Sequence, residues 1–142
     1  MSTHYERTIR FAEVDGAGFV FFANYLVLCH EAYEASLAKA GLELRKFFGE
    51  NKLLIPITKT QAQFLGPLQS GDRVRIELTA TATGDNAFGI SYRLVHLGAT
   101  EKLVGLARTE HMAIDLHTLE RKALPAPFMA WLRGAGPATT AN

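Results

Sequence analysis

The sequence predicts an α+β fold in which one long central helix is wrapped by a curved antiparallel sheet of about five strands. Apolar residues recur at helical spacing in a single long segment, residues 24–40, whereas the segments on either side alternate with the two-residue period of a strand. Turn-forming residues separate the later segments by short intervals, which favours antiparallel pairing. Of the 142 residues, 48% are hydrophobic and 20% are charged, a balance typical of a protein with a packed core.

The first predicted strand is followed by a glycine-bearing turn. The strand runs from Tyr5 to Phe11, with Tyr5, Arg7, Ile9 and Phe11 on one face. Gly16 and Gly18 come directly after it. They mark a turn or a close approach of the backbone to another group.

The long segment predicts an amphipathic helix of about 17 residues. Asn24 is a suitable N-cap, because its side chain can accept a hydrogen bond from an N–H group of the first turn. Gly41 is a suitable C-terminal stop. The predicted apolar stripe consists of Phe22, Leu26, Cys29, Tyr33, Leu37 and Ala40.

Four strands and a short helix are predicted after the long helix. The strands are Leu53 to Leu65, Arg73 to Thr83, Phe88 to Leu94 and Leu103 to Leu116, and the helix is Phe128 to Arg133. Pro56 indicates an edge strand or a strand start. Short turns between consecutive strands predict an antiparallel meander. One helix covers only one face of such a sheet, so apolar area and an edge stay exposed and subunits are expected to pair.

Composition argues against several classes of protein. A formal net charge of +1 is too low for a general nucleic-acid binder. Cys29 is the single cysteine, which precludes an intrachain disulfide and suits a reducing cytoplasm. No apolar run approaches the roughly 20 residues of a membrane span, so we expect a cytoplasmic protein outside the membrane. Residues 1–133 are predicted to form one domain and residues 134–142 a disordered tail.

The most informative residue is Asp15, a carboxylate in the glycine-bearing loop before the long helix. N–H groups at a helix N-terminus carry partial positive charge, and they can polarise a bound carbonyl group and stabilise an oxyanion. Gly16 and Gly18 allow a ligand to approach the backbone closely. Asp15 would then attack the carbonyl carbon or activate a water molecule.

The stretch around Asp15 resembles the 4-hydroxybenzoyl-CoA thioesterase family of hot-dog proteins. The shared pattern is an aromatic residue, Asp15, Gly18, a valine, two aromatic residues and Asn24-Tyr25. Residues 23–34 resemble the branch that hydrolyses 1,4-dihydroxy-2-naphthoyl-CoA in phylloquinone and menaquinone synthesis. The strand order fits the hot-dog fold over most of the chain, whereas the specific motif covers only Arg10 to Leu37.

The resemblance implies an acyl-CoA thioesterase with no metal and no redox cofactor. It assigns Asp15 as the catalytic carboxylate and the backbone N–H of Phe22 as the group that polarises the carbonyl. It further implies a homo-oligomer, at least a dimer and by expectation a tetramer. Many relatives carry Tyr or His where this chain has Phe22, whose ring cannot transfer a proton. Candidate residues for the substrate pocket are Gly18, Phe21 and Tyr25, although the aromatic residues equally suit core packing.

Alternatives remain for these residues. Asp15 could be a turn residue that satisfies nearby N–H groups. Glu31, on the long helix, is the second candidate base, or else a structural glutamate paired with a neighbour such as His30. The substrate could instead be a fatty acyl-CoA or an acyl carrier protein thioester, and the chain could be a non-catalytic acyl-CoA binding module. The spacing of His30, His96 and His111 fits no metal motif, so no metal is expected.

Overall fold

Five antiparallel strands form the main sheet in the computed structural model, which describes residues 1–134. Their order across the sheet is β1-β4-β5-β6-β3. They span Ser2–Thr8 (β1), Ile57–Phe64 (β3), Arg73–Ala82 (β4), Ala87–Leu97 (β5) and Glu101–Met112 (β6). A separate two-stranded ladder joins β2 (Leu53–Leu54) to β7 (Ile114–Asp115). The expected disordered tail lies, apart from Gly134, outside the described residues.

Three α-helices accompany the sheet within residues 1–134. They are α1 (Phe22–Lys39), α2 (Leu44–Asn51) and α3 (Ala126–Leu132). The long helix α1 contacts β1, β4 and β6. No helix within residues 1–134 has the length and apolar character needed to span a membrane.

The core lies between α1 and one face of the sheet. Strand β4 alternates as predicted, with Val74, Ile76, Leu78 and Ala80 buried. The buried face of α1 is made of Tyr25, Leu28, Cys29, Ala32, Tyr33, Ser36 and Leu37. Phe22, assigned to the apolar stripe by its spacing, is instead 61% exposed. The buried face is therefore rotated away from the helix's first residue.

The predicted helix is confirmed, but the predicted N-cap is wrong. The helix begins at Phe22, two positions before Asn24, and its N-cap Phe21 makes no side-chain capping hydrogen bond. The Asn24 side chain instead donates to the carbonyl oxygen of Glu13 at 2.9 Å. At the other end, Gly41 has a φ of +82° and follows the last helical turn as predicted, because glycine adopts this left-handed conformation without steric cost.

The predicted meander is wrong in one connection. Strands β4, β5 and β6 do follow one another, but β3 pairs with β6 and not with β4. The chain between β3 and β4 therefore crosses from one edge of the sheet toward the other. Along this crossing Val20 donates to Leu68 and Gly66 donates to Val104. As a result β3 becomes an edge strand, which agrees with the reading of Pro56 as an edge signal.

Several predicted boundaries also differ. The first strand ends at Thr8, and Phe11 lies in a one-turn 3₁₀ helix (Phe11–Glu13) with 83% of its surface exposed. The predicted strands 53–65 and 103–116 are each interrupted, the first at Ile55-Pro56 and the second at Ala113. The helix α2 was not predicted, because Phe47 is its only buried residue and its apolar pattern is correspondingly short.

Candidate active site

Asp15 opens a tight turn between two short bridged segments. Val14 and Val20 form an antiparallel bridge. Inside it, the Asp15 N–H donates to the Phe19 carbonyl at 2.8 Å, and the Gly18 N–H donates to the Asp15 carbonyl at 3.0 Å. Gly18 has a φ of +84° and no atom within 4 Å of the position a Cβ would take. The turn therefore requires glycine here for its backbone conformation and leaves the adjacent space open.

The Asp15 carboxylate uses one oxygen for the turn. Its Oδ1 accepts hydrogen bonds from the N–H groups of Ala17 at 2.9 Å and Phe19 at 3.3 Å. Asp15 is exposed, and no group within residues 1–134 donates to its Oδ2. The carboxylate is thus oriented by one oxygen while the other is available to a ligand.

The N-terminus of α1 offers donors to a ligand. Phe22 is its first residue, and the first turn contains no acidic side chain. N–H groups of a first helical turn have no partner within the helix, and they carry the positive end of the helix dipole. The start of α1 therefore places the Phe22 N–H, the group expected from the sequence to polarise a carbonyl, at the positive end of the helix dipole.

An aromatic cluster flanks the start of α1. The ring centroids of Phe21 and Phe22 lie 4.7 Å apart, and Phe64 of β3 packs edge-on against Phe22 at 6.1 Å and Tyr25 at 5.2 Å. Phe21, Phe22 and Phe64 are exposed, whereas Tyr25 is buried and its hydroxyl donates to the Gly66 carbonyl at 2.7 Å. Burial raises the pKa of Tyr25. Phe64 was not predicted, because only the fold brings β3 beside α1.

A buried arginine connects the Asp15 loop to α1. Arg7 is 8% exposed. Its Nε donates to Glu31 Oε2 at 2.6 Å, its Nη1 donates to Glu13 Oε2 at 3.0 Å, and its Nη2 contacts both carboxylates. Nη1 also donates to the Thr8 carbonyl at 2.8 Å. One guanidinium thus ties β1, the 3₁₀ turn and α1 together through charge-assisted hydrogen bonds.

The backbone of Glu13 completes this connection. Its carbonyl oxygen accepts from the Phe21 N–H at 3.0 Å and from the Asn24 side chain at 2.9 Å. The residue that Arg7 anchors therefore also positions the helix start. Neither Arg7 nor Glu13 was predicted as a site residue, although an arginine on the apolar face of the first strand was a usable signal.

The electrostatics of this cluster favour its charged form. Burial alone would raise the pKa of Glu13, but hydrogen bonds from Arg7 and from the Arg10 backbone outweigh it and the pKa is lowered. Burial would likewise lower the pKa of Arg7, and its hydrogen bonds to Glu13 and Glu31 raise it instead. The carboxylate of Glu31 is therefore paired with Arg7 and not with His30, the neighbour considered from sequence. Both oxygens of Glu31 accept hydrogen bonds from Arg7, which argues against Glu31 as the catalytic base.

Neither a reactive cysteine nor a metal site is found in the part of the chain that the structure describes. Burial raises the pKa of the Cys29 thiol to about 12, so this cysteine is a buried apolar residue of α1 and not a thiolate. Within residues 1–134, no cluster of three or more His, Cys, Asp or Glu side chains has the geometry of a metal site.

Comparison with known proteins identifies the family. The model of the thioesterase-like superfamily matches residues 9–132. The chain belongs to the thioesterase-like superfamily. It is 43% identical to a 1,4-dihydroxy-2-naphthoyl-CoA hydrolase from Thermosynechococcus vestitus over 92% of this chain and 88% of that protein. It is 42% identical to a hydrolase of the same name from Rippkaea orientalis, over 91% of this chain and 94% of the relative.

Solved structures of this superfamily share the fold. A 1,4-dihydroxy-2-naphthoyl-CoA thioesterase from Synechocystis superposes with a TM-score of 0.89 and 30% identity, covering 94% of this chain and 96% of that one. A 4-hydroxybenzoyl-CoA thioesterase variant complexed with 4-hydroxybenzoyl-CoA superposes with a TM-score of 0.81 at 20% identity over 92% and 98% of the two chains. The predicted hot-dog fold and family are confirmed.

Arg7→Gln is expected to destabilise the protein by about 2 kcal/mol, because it removes the cation that two partly buried carboxylates share. The matched control is Arg73→Gln, which removes the exposed ion pair with Glu6 at 3.3 Å and should cost less than about 0.5 kcal/mol. Urea unfolding at pH 7 measures both. If both variants lowered the free energy of unfolding by the same small amount, the stabilising role of Arg7 would be contradicted.

The effect of Arg7→Gln should depend on pH. A lowered folded-state pKa means that Glu13 contributes stability above its unfolded pKa, near the ordinary 4.5, and that this contribution is lost as the pH falls through the folded value. The variant lacks the part of this contribution that Arg7 supplies and keeps the part from the Arg10 backbone N–H. Its deficit relative to the wild type should therefore be full at pH 6 to 7 and shrink below about pH 4, as followed by urea unfolding across that range.

Proposed function

We propose that this protein hydrolyses 1,4-dihydroxy-2-naphthoyl-CoA to the free acid and CoA, as a step of phylloquinone or menaquinone synthesis. The observation that carries the proposal is the position of Asp15, whose free carboxylate oxygen lies in a loop tied through Glu13 to the uncapped start of α1. The names of relatives 38–43% identical over most of the chain support the choice of substrate.

In the proposed mechanism the substrate carbonyl oxygen accepts from the Phe22 N–H. This hydrogen bond strengthens as negative charge develops on the oxygen, which lowers the barrier. Asp15 either attacks the carbonyl carbon, forming a mixed anhydride that water then hydrolyses, or removes a proton from an attacking water. In both routes the C–S bond breaks, and the CoA thiolate leaves and takes up a proton. Gly18, Phe21 and Tyr25 border the space for the acyl group.

The assembly proposed for this activity is a homo-oligomer, at least a dimer and by extension a tetramer. Strand β3 is an edge of the sheet, and Ile57, Phe64 and Leu65 expose apolar surface along it. Unpaired backbone groups and apolar area together favour pairing with a second chain. Since Phe64 contacts Phe22, the active site would lie beside this interface. Residues 1–133 would act as one domain in the cytoplasm.

A fatty acyl or broad-range thioesterase is the second candidate. A cavity of about 340 Å3 lies along the later turns of α1, and its lining is mostly apolar, with Leu37, Phe48 and Ile55 among its residues. Such a volume suits a longer aliphatic chain. A second cavity of about 100 Å3 lies nearer the helix start, and His30 lines both cavities. The small volume of this second cavity favours a compact acyl group. A non-catalytic acyl-CoA binding module is the third candidate. It is supported by Phe22, whose ring cannot transfer a proton.

A substrate panel separates these functions. Thiol release is compared for 1,4-dihydroxy-2-naphthoyl-CoA, 4-hydroxybenzoyl-CoA, benzoyl-CoA and palmitoyl-CoA. We expect kcat/KM for the naphthoyl ester to exceed the others by about 100-fold, a gap of about 2.7 kcal/mol. A preference for palmitoyl-CoA would favour the second candidate. Tight binding without release from any ester would favour the binding module.

Asp15→Asn should lower kcat by about 10² to 10⁴ without unfolding the protein. Asparagine keeps the oxygen that accepts from Ala17 but cannot act as a nucleophile or base. Asp115→Asn is the matched control, because Asp115 Oδ1 likewise accepts from two backbone N–H groups, those of His117 and Thr118. If Asp15 were only a turn residue, both variants would keep wild-type kcat.

Phe22→Pro tests the backbone N–H directly. Proline is favoured at the first helical position, and Phe21 already has an extended backbone, with φ −58° and ψ 134°, which suits a residue before proline. The variant should keep the helix while losing about 10² to 10³ in kcat. Phe22→Ala keeps the N–H but removes the ring, and should retain most of kcat. Similar kcat values for the two variants would exclude this N–H as the polarising group.

The oligomer is tested by light scattering after size-exclusion chromatography. The chain mass is 15.6 kDa, and we expect a species of two or four times this mass at micromolar concentration. Phe64→Glu, which places a charge on the β3 edge, should shift the population toward the monomer. A wild-type protein that is monomeric while fully active would contradict the proposed assembly.

A further inference from the structure

A small cavity lies between α1 and the edge of the sheet. It has a volume of about 100 Å3 and is lined by Leu26, His30, Ile57, Thr60, Tyr92 and Thr109. Leu26 and His30 follow Phe22 by one and two helical turns, about 6 and 12 Å along the axis. Strand β3 runs opposite to α1, because Phe64 packs beside Phe22 while Ile57 shares the cavity with His30. The cavity therefore lies alongside α1, one to two turns beyond the proposed carbonyl site at Phe22.

Two residues of the cavity lining, Tyr92 and Thr109, belong to a buried hydrogen-bonded chain that continues to His111. Thr109 Oγ1 lies 2.8 Å from His111 Nε2 and 3.4 Å from the Tyr92 hydroxyl oxygen. All three residues are at most 5% exposed. Burial and the nearby His30 lower the pKa of His111 to about 4, so its ring is neutral at pH 7 and carries one N–H.

One donor hydrogen of these three residues has no acceptor among them. Tyr92, Thr109 and the neutral His111 carry three donor hydrogens, but they share only two hydrogen bonds. His111 Nδ1 is buried without a partner. A buried N–H without an acceptor costs more than an unused lone pair, so the ring proton belongs on Nε2 and is donated to Thr109. With Thr109 donating to Tyr92, the Tyr92 hydroxyl hydrogen remains free.

We propose that this cavity receives the edge of the aryl group that carries a ring hydroxyl, and that the Tyr92 hydroxyl selects an acyl group bearing this ring hydroxyl. The inference rests on the proposed thioesterase function and adds a specificity residue to it. Most of the cavity surface is apolar, and its polar residues besides Tyr92 are His30, Thr60 and Thr109. A flat ring therefore fits, and a ring hydroxyl finds a hydrogen-bond partner. When an unsubstituted ring binds, the Tyr92 hydroxyl has no acceptor. This unpaired donor lowers the affinity for the unsubstituted ring relative to the hydroxylated one.

The test uses two esters that differ by one hydroxyl, 1,4-dihydroxy-2-naphthoyl-CoA and 1-hydroxy-2-naphthoyl-CoA. We expect Tyr92→Phe to lower the ratio of their kcat/KM values by about tenfold, since one hydrogen bond in a dry site is lost. Tyr33→Phe is the matched control. It alters another buried tyrosine, which borders the larger cavity, and should leave the ratio unchanged. Measuring both esters on one sample cancels any loss of folded protein.

Each outcome separates the two proposals. A ratio unchanged by Tyr92→Phe, including equal losses for both esters, overturns the role of Tyr92 and leaves the thioesterase function standing. If the wild type hydrolyses neither ester, the proposed function fails. The ratio of Kd values for the same two esters, measured by calorimetry on wild type and Tyr92→Phe, then decides the cavity. A Kd ratio that Tyr92→Phe leaves unchanged overturns the inference.

Discussion

The ion cluster around Arg7 is the constraint on which the geometry of the candidate site depends. A guanidinium buried beneath α1 needs acceptors, because an unpaired buried charge is strongly destabilising. Glu13 and Glu31 supply them from two different segments. Their pairing with one cation sets the distance between the 3₁₀ turn and the helix. The carbonyl of Glu13 then receives the Phe21 N–H, so the start of α1 and the loop of Asp15 are positioned by the same residue.

At the candidate site, the Asp15 carboxylate and the first turn of α1 have hydrogen-bonding capacity left over. Comparable groups elsewhere in the protein have hydrogen-bond partners. Asp115 spends its carboxylate on a turn and on Lys122, and the C-terminus of α1 is closed by hydrogen bonds from Gly41 and Leu42. Among residues 1–134, no side chain caps the first turn of α1 and no group donates to the second oxygen of Asp15. Polar groups without a hydrogen-bond partner in the protein are expected where a ligand supplies that partner.

The position of β3 would connect the proposed substrate site with the proposed subunit interface. Because β3 pairs with β6, it ends up at the sheet edge beside α1. Its side chains reach both the aromatic cluster at Phe22 and the small cavity at Tyr92. The outer side of the same strand carries unpaired backbone groups. A second chain paired with this edge would therefore lie close to the proposed acyl site.

The sequence by itself determined the helix, the alternation of β4 and β5, the turn glycines and the position of Asp15, because each depends on residues close in the chain. Local pattern also suggested Asn24 as the N-cap, which failed since the Glu13 carbonyl binds that side chain instead. Only the tertiary structure decided the pairing of β3 with β6, the contacts of Phe64 and the partners of Arg7. Those depend on which distant segments pack together, and hydrophobic periodicity carries no information about that choice.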